Sequence, residues 1–420
     1  MFDGLSQAGR IARIAELERL KAAHAAEQAR LTVAFDTERR AAEEADGVAA
    51  AKRGRGVGSE IALARQDSPN QGSRHLGFAQ ALVHEMPHTL AALAAGVLSE
   101  WRATLIVRES ACLRVEHRRT LDEEMCADQS KLDGCGNARI AADAKAIAYR
   151  LDPQAVVDLA AKAEQERRVT IRPAPDAMTF VSALLPVAQG VSVYASLKRA
   201  ADTTFDDRSR QQIMADTMVE RVTGQATADA TPIAVDVVLS DATLTGGEDP
   251  ALIPGYGPIP AEVACRLIRK GVDDPASKAT LRKLYARPGT GALVAMESRA
   301  RAFPKGLAKF LGLRDQRCRT PYCDAPIRHL DHITPAAQGG STSGDNGQGL
   351  CEHCNYVKEL ADWKVTTSAD ESGRHATTIK TPTGGHYHSI APPILPGRRR
   401  IDYSEIEQRV SVALYRHHAA

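Results

Sequence analysis

Eight residues between Cys318 and Asn355 have types and spacings that bear on chemistry. Cys318 and Cys323 form a C-x4-C pair, and Cys351 and Cys354 a C-x2-C pair. Each spacing lets two thiolates face one ion from a tight turn, and two such pairs complete the four-sulfur shell of a structural zinc site. Asp331, His332, Asn346 and Asn355 offer a different donor set. It is oxygen-rich with one imidazole, which suits magnesium or manganese better than zinc. A segment this short cannot bury enough apolar surface to fold unaided, so a thiolate-bound zinc would substitute for a core. The same staple would draw Asp331-His332 towards Asn355, although they lie far apart in sequence.

The rest of the chain must position that segment. With 420 residues it has room for two or three domains and a well-buried core. Hydrophobic residues at 43% and charged residues at 25% give an ordinary globular composition. Aromatics at 4% are scarce and alanine is abundant, which favours helices over a β-sandwich. A formal net charge of +2 argues against a strongly basic DNA-coating protein, so any nucleic-acid contact falls to local patches. The expected fold is mainly α (α+β): a helical N-terminal domain with small β-hairpins, followed by a small zinc-stapled module. The divisions read as an N-terminal helix at 1–50, a linker at 51–75, a mainly helical domain at 76–298, the module at 299–370 and a C-terminal extension at 371–420.

Local patterns give the elements. Ser6 to Ala45 reads as one long helix with Ile11, Ile14, Leu17, Leu31 and Phe35 along one face. Such a helix would dock or self-pair, permitting a homodimer. Ala50 to Ser73 is rich in Gly, Arg, Ser and Asn and reads as a loop or linker. Helical signal resumes at Leu76, with Pro87 opening a helix, Gly96 ending it and Ser99 capping the next. Further helices are expected at 138–149, 153–168, 187–201, 207–222 and 261–269. Hairpins are expected at 169–172 with 178–184 and at 282–294, and strands at 233–239 and 363–366. A turn at Thr383-Gly384-Gly385 and a weak helix at 403–417 close the chain. His84, His88 and His117 lack partners at ligand spacing and read as structural. His386 and His388 lack a third ligand, and Arg398 to Arg400 read as a solvated tail. Neither a phosphate loop, nor a GxGxxG helix start, nor a serine nucleophile elbow occurs in the first 298 residues. Cys112, Cys126, Cys135 and Cys265 show no pairing rhythm. Thiolate ligation of zinc needs a reducing compartment, which points to the cytoplasm. The chain opens without an apolar signal core, and its longest near-apolar run, Thr89 to Leu98, is too short to span a bilayer.

The order Asp331-His332, Gly339-Gly340, Asn346 and Cys351-x2-Cys354-Asn355 resembles the HNH nuclease motif. The resemblance implies a β-hairpin followed by a helix around one divalent metal (the ββα-metal arrangement), acting on DNA. Asp331 and Asn355 match its metal ligands, His332 its general base and Asn346 the residue that orients that base. The four cysteines match a zinc staple. Arg328 and Lys358 become candidates for phosphate contact. The segments MPHTLAALAAGVLSEWRA, IPGYGPIP and GLRDQRCRTPYC resemble the 13E12-repeat family. There a helical domain of unknown function, number 222, precedes a C-terminal HNH module. This likeness runs from about Leu76 to Pro393. The chain departs from the family in having Asp331-His332 and Cys354-Asn355 where His-His pairs are usual. Gly347 stands where an apolar residue is usual and is expected to loosen the hairpin. His329 and His353 read as extra, non-ligating histidines. Two rival readings are a non-catalytic, zinc-dependent nucleic-acid-binding module using Arg314, Arg317, Arg319 and Arg328, and a helical protein-interaction scaffold.

Overall fold

The computed structural model describes residues 6–395 apart from 177, 225–236, 241, 242, 244, 245, 255, 274–296 and 299–301. Helix α1 (Gln7–Ala45) is capped by Ser6, whose hydroxyl accepts the Gly9 N–H. The face it buries is not the one its large residues suggest. Ala22, Ala25, Ala26, Ala29 and Val33 are buried at helical spacing, while Ile11, Ile14, Leu17 and Leu31 are exposed. Small side chains let the helix axis come close to its neighbours, and the first turns run on past the core.

The stretch expected as a linker is helical, which corrects both that reading and the boundary drawn at 75. Helices α2 (Val57–Arg65) and α3 (Pro69–His84) occupy it, with Ser68 capping α3 and Pro69 in its first turn. Gly54 and Gly56 take positive φ in the turn before α2, while Gly58 and Gly72 serve close helix packing. A Cβ on Gly72 would fall 2.0 Å from the Gly58 carbonyl oxygen and 2.6 Å from the Ala62 Cβ.

Helices α4 (Pro87–Ala94), α5 (Glu100–Glu109), α6 (Val115–Cys126) and α7 (Asn137–Leu151) complete the helical core. Leu82, Met86, Leu93, Leu98, Ile106, Leu121 and Ile140 fill it. Asp122 on α6, fully buried, accepts the His88 and Thr89 N–H groups and the Thr89 hydroxyl, satisfying the first turn of α4. Gly96 ends α4 at φ +76°, and Ser99 caps α5 as expected.

Helix α8 (Pro153–Gln165) leads to a hairpin of β1 (Arg168–Ala174) and β2 (Met178–Leu184), and then to α9 (Val187–Thr203) and α10 (Arg210–Thr223). The turn-rich 250–260 stretch holds a second hairpin, β3 (Ala251–Ile253) and β4 (Gly257–Ile259), followed by α11 (Ala261–Asp273). Val238 bridges to Leu252, while residues 233–236 of the expected strand lie outside the described residues. So do the hairpin at 282–294, the helix at 403–417 and Arg398 to Arg400.

The C-terminal part begins with β5 (Glu297–Ser298) and α12 (Lys305–Asp315). Strands β6 (His329–His332), β7 (Thr342–Ser343) and β8 (Gly347–Leu350) follow, then α13 (Glu352–Lys358). β6 pairs antiparallel with β8, Asp331 opposite Gln348 and His332 opposite Gly347. A three-stranded sheet of β9 (Lys364–Ala369), β10 (His375–Lys380) and β11 (His386–Ile390) closes the described chain. Because β9 and β10 are hairpin partners, a boundary at 370 cuts through one sheet and does not separate two units.

His375 on β10 is 9% exposed. Its Nε2–H donates to the Asp345 carbonyl, with Thr367 Oγ1 at 2.9 Å as well. Burial, aided by the nearby Arg314 charge, lowers its pKa from 6.5 to about 4. The unfolded chain therefore takes up a proton below pH 6.5 that the folded chain refuses until about pH 4. Stability should fall through that window, by up to about 3 kcal/mol. Urea midpoints measured from pH 7 to pH 4.5 should show this slope, and His375→Gln should flatten it.

Candidate functional site

Four sulfurs set the frame. The Sγ atoms of Cys318, Cys323, Cys351 and Cys354 lie within 4.8 Å of one another, and no disulfide joins them. Cys323 Sγ lies 3.8 Å from both Cys351 Sγ and Cys354 Sγ. A zinc tetrahedron with Zn–S of about 2.3 Å has edges of about 3.8 Å, so this donor set fits zinc. The thiols also compete for protons. Contact with Cys318 pushes Cys354 and Cys323 up and pulls Cys351 down. A dication would relieve that competition by holding all four as thiolates. His329 and His353 stand outside the cluster, as the sequence suggested. The His329 and Tyr356 rings are 6.3 Å apart, and His353 meets Ser59.

Cys351 caps α13, its sulfur accepting the Cys354 N–H. The cluster therefore fixes the start of the helix that carries Asn355. On β6, Asp331 Oδ2 accepts Lys358 Nζ at 2.7 Å and Gln348 Nε2 at 3.4 Å. Lys358 Nζ also donates to the His332 carbonyl at 2.7 Å. This corrects the expectation for Lys358. Its side chain is 8% exposed, and the ammonium is held by Asp331, Glu359 and the His332 carbonyl and does not stand free for phosphate. Arg328 is exposed at the start of the hairpin.

The His332 ring is held on two sides by residues the sequence reading missed. Thr342 Oγ1 lies 2.9 Å from Nε2, and the Phe303 ring stacks on the imidazole at 4.4 Å and 27°. Nothing in the local pattern marks Thr342. Phe303 is one of only seven phenylalanines, a weak hint at best. Asn346 does not bond to the imidazole. Its side chain accepts the Thr334 N–H and donates to the Thr334 and Ser341 carbonyls. It braces the loop between the strands and so sets Thr342, which touches His332. Gly340 crowds the same brace, since a Cβ there would fall 1.8 Å from the Thr334 carbonyl oxygen.

Gly347 does not loosen the hairpin. A Cβ at that position would lie 2.7 Å from Leu311 Cδ1, 2.9 Å from Phe303 Cε1 and 2.9 Å from the Ser343 carbonyl oxygen. The missing side chain makes room for the ring that stacks on His332.

The basic residues upstream serve structure. Arg314 and Arg319 are 6% and 4% exposed. Arg314 grips Asp315 and the Gly344 and Gly347 carbonyls, and Arg319 donates to the His375 and Ser389 carbonyls. Asp315 in turn accepts the Gly349 N–H at 2.7 Å, pinning β8. Two of the four arginines assigned to a purely binding module are therefore spent internally.

Among the described residues no helix is long and apolar enough to cross a membrane. The sequence matches the family described as Domain of unknown function (DUF222) over residues 12–315 and the family described as HNH endonuclease over residues 316–359. It is 32% identical over 145 residues to the uncharacterized protein Rv3776 of Mycobacterium tuberculosis, a match covering 34% of this chain. The matched region spans about a quarter, 24%, of that relative's length. No solved structure matches the chain. The chain belongs to the DUF222 family and carries an HNH endonuclease domain at residues 316–359.

Proposed function

We propose that this protein is a metal-dependent endonuclease that hydrolyses DNA phosphodiester bonds, with Asp331 and Asn355 holding one magnesium or manganese ion and His332 acting as general base. The observation that carries the reading is the Lys358–Asp331 bridge of 2.7 Å. Asn355 and Lys358 are three residues apart on α13 and so share a helix face. From that face Lys358 reaches the carboxylate of Asp331, which supports Asn355 facing the same ion. Asp331 supplies a carboxylate oxygen and Asn355 an amide oxygen. A set of two protein ligands leaves positions for water and phosphate oxygens, as magnesium favours.

An ion held by Asp331 and Asn355 would supply Lewis-acid charge neutralisation for phosphodiester hydrolysis. The chain's own residues do the rest. In the tautomer whose Nε2–H donates to the Thr342 hydroxyl, Nδ1 of His332 is the basic nitrogen. It takes the proton of the attacking water, a task suited to an imidazole near neutral pH. Phe303 on one face keeps the ring from swinging. Asn346 holds the loop that carries Thr342, and Arg328 offers an exposed guanidinium to the DNA backbone, a contact that carries position and little sequence information.

Plasmid nicking tests this. The wild type should nick supercoiled DNA with magnesium or manganese and not with EDTA. Asp331→Asn should keep the fold and its zinc but slow nicking by roughly 100-fold or more, as loss of a ligating charge does for transition-state stabilisation. Metal-independent nicking, or equal rates for the two proteins, would refute the assignment.

A further inference from the structure

We infer that helix α2, in the helical half, positions helix α13 and with it Asn355, through the Ser59–His353 hydrogen bond and the apolar seam beside it. The inference rests on the nuclease reading for its functional consequence, but its geometry stands apart from that reading. Ser59 Oγ lies 2.9 Å from His353 Nε2, across 294 residues of sequence. His353 sits on α13 between the cluster cysteines Cys351 and Cys354, two residues before Asn355.

The seam is specific. Leu63 of α2 packs into one cluster with Trp363 and Ile379, against which Val357, Leu360, Val365 and Tyr387 lie. The start of α2 presses on the same place, since a Cβ on Gly56 would lie 3.0 Å from Leu360 Cδ1 and 3.2 Å from Trp363 Nε1. The seam encloses about 20 Å³ of open space, close to the room of one water. Beside it Glu60, 5% exposed, accepts Arg39 of α1 at 2.9 Å and the Thr383 hydroxyl of the β10–β11 turn at 2.6 Å. A buried carboxylate is costly when a partner is lost. α2 is thus fixed to α1 on one side and to the C-terminal sheet on the other.

Helix α13 has only seven residues and cannot hold its place alone. Sulfur fixes its first turn, Lys358 ties its end to β6, and α2 meets the remaining face at His353, itself exposed, and through the seam that takes in Val357. Loss of the α2 contact leaves the helix free to rock about the cluster, moving Asn355 relative to Asp331. Ser59 and His353 are positioning residues, with no contact to substrate implied.

The test uses the full chain with Ser59→Ala, His353→Ala, the double variant and His353→Gln, which keeps a donor for the hydroxyl. Amide exchange of Asn355 to Lys358 is followed together with manganese affinity and zinc content. Each alanine variant should speed exchange in α13 about fivefold, the value of one net hydrogen bond of about 1 kcal/mol. It should weaken manganese binding to a similar extent. Exchange in β6 and β8, and the zinc content, should not move. The double variant should equal the singles, and His353→Gln should recover most of the wild-type protection. Unchanged exchange in α13, or additive effects in the double variant, would overturn the inference. A wild type that binds no manganese and cuts no DNA would instead count against the nuclease reading, and the exchange data would still decide the coupling.

Discussion

Replacing His332 with alanine should lower single-turnover DNA cleavage by roughly 10²–10⁴-fold, the range for one positioned general base. The size of the effect follows from how the ring is held. Thr342 takes Nε2 and Phe303 covers a face, so the imidazole reaches the reaction already oriented. Among the described residues, the nearest candidates are engaged elsewhere. Asp331 is engaged by Lys358 and Gln348, and His329 leans towards Tyr356. The proposed metal ligands, Asp331 and Asn355, stay intact in the variant, so manganese affinity should change little while the rate collapses. A loss of less than tenfold, with excess enzyme and saturating metal, would show that the proton goes elsewhere.

The second large effect concerns the sulfur cluster. Cys354→Ser, or stripping zinc with a strong chelator, should unfold residues from Cys318 to Lys358. Structural zinc sites contribute on the order of 10 kcal/mol to folding of the segment they hold. The cluster around the four cysteines adds only Leu350 and Ala325, and Leu330 and Val357 each touch a neighbouring cluster from the segment's edge, a small apolar share for holding that segment without metal. The helical core built on Leu82, Met86, Leu93 and Leu121 lies elsewhere and should keep its own melting transition. Two-stage unfolding, with the first stage set by zinc concentration, is the expected record in calorimetry. A Cys354→Ser protein that keeps stoichiometric zinc and native exchange in α13 would contradict it.

The site was easier to read from sequence than its setting. Cysteine spacing and the order of Asp331, His332, Asn346 and Asn355, through their resemblance to the HNH motif, pointed to the hairpin and helix that the structure contains. Those residues are marked by type and order, and these carry the resemblance. Packing partners are not marked in this way. The buried face of α1 consists of four alanines, Val33 and Asp36, whose weak hydrophobicity is lost beside the exposed Ile11, Ile14 and Leu31. Gly58 and Gly72 looked like loop residues because close helix contact and chain reversal select the same side chain. Arg314 and Arg319 looked like a nucleic-acid patch because sequence records a charge but not the backbone carbonyls that absorb it. Ser59 could not be linked to His353 by any local pattern, since the contact exists only once both halves are folded.

The most direct test is anomalous diffraction from crystals of the full chain grown with zinc and soaked in manganese, with data at both metal edges. The account predicts a zinc peak among the four sulfurs and a separate manganese peak bound by Asp331 and Asn355, with Lys358 moved off the carboxylate. Manganese absent from Asp331, or Asn355 turned away from it while the zinc peak is present, would contradict the account.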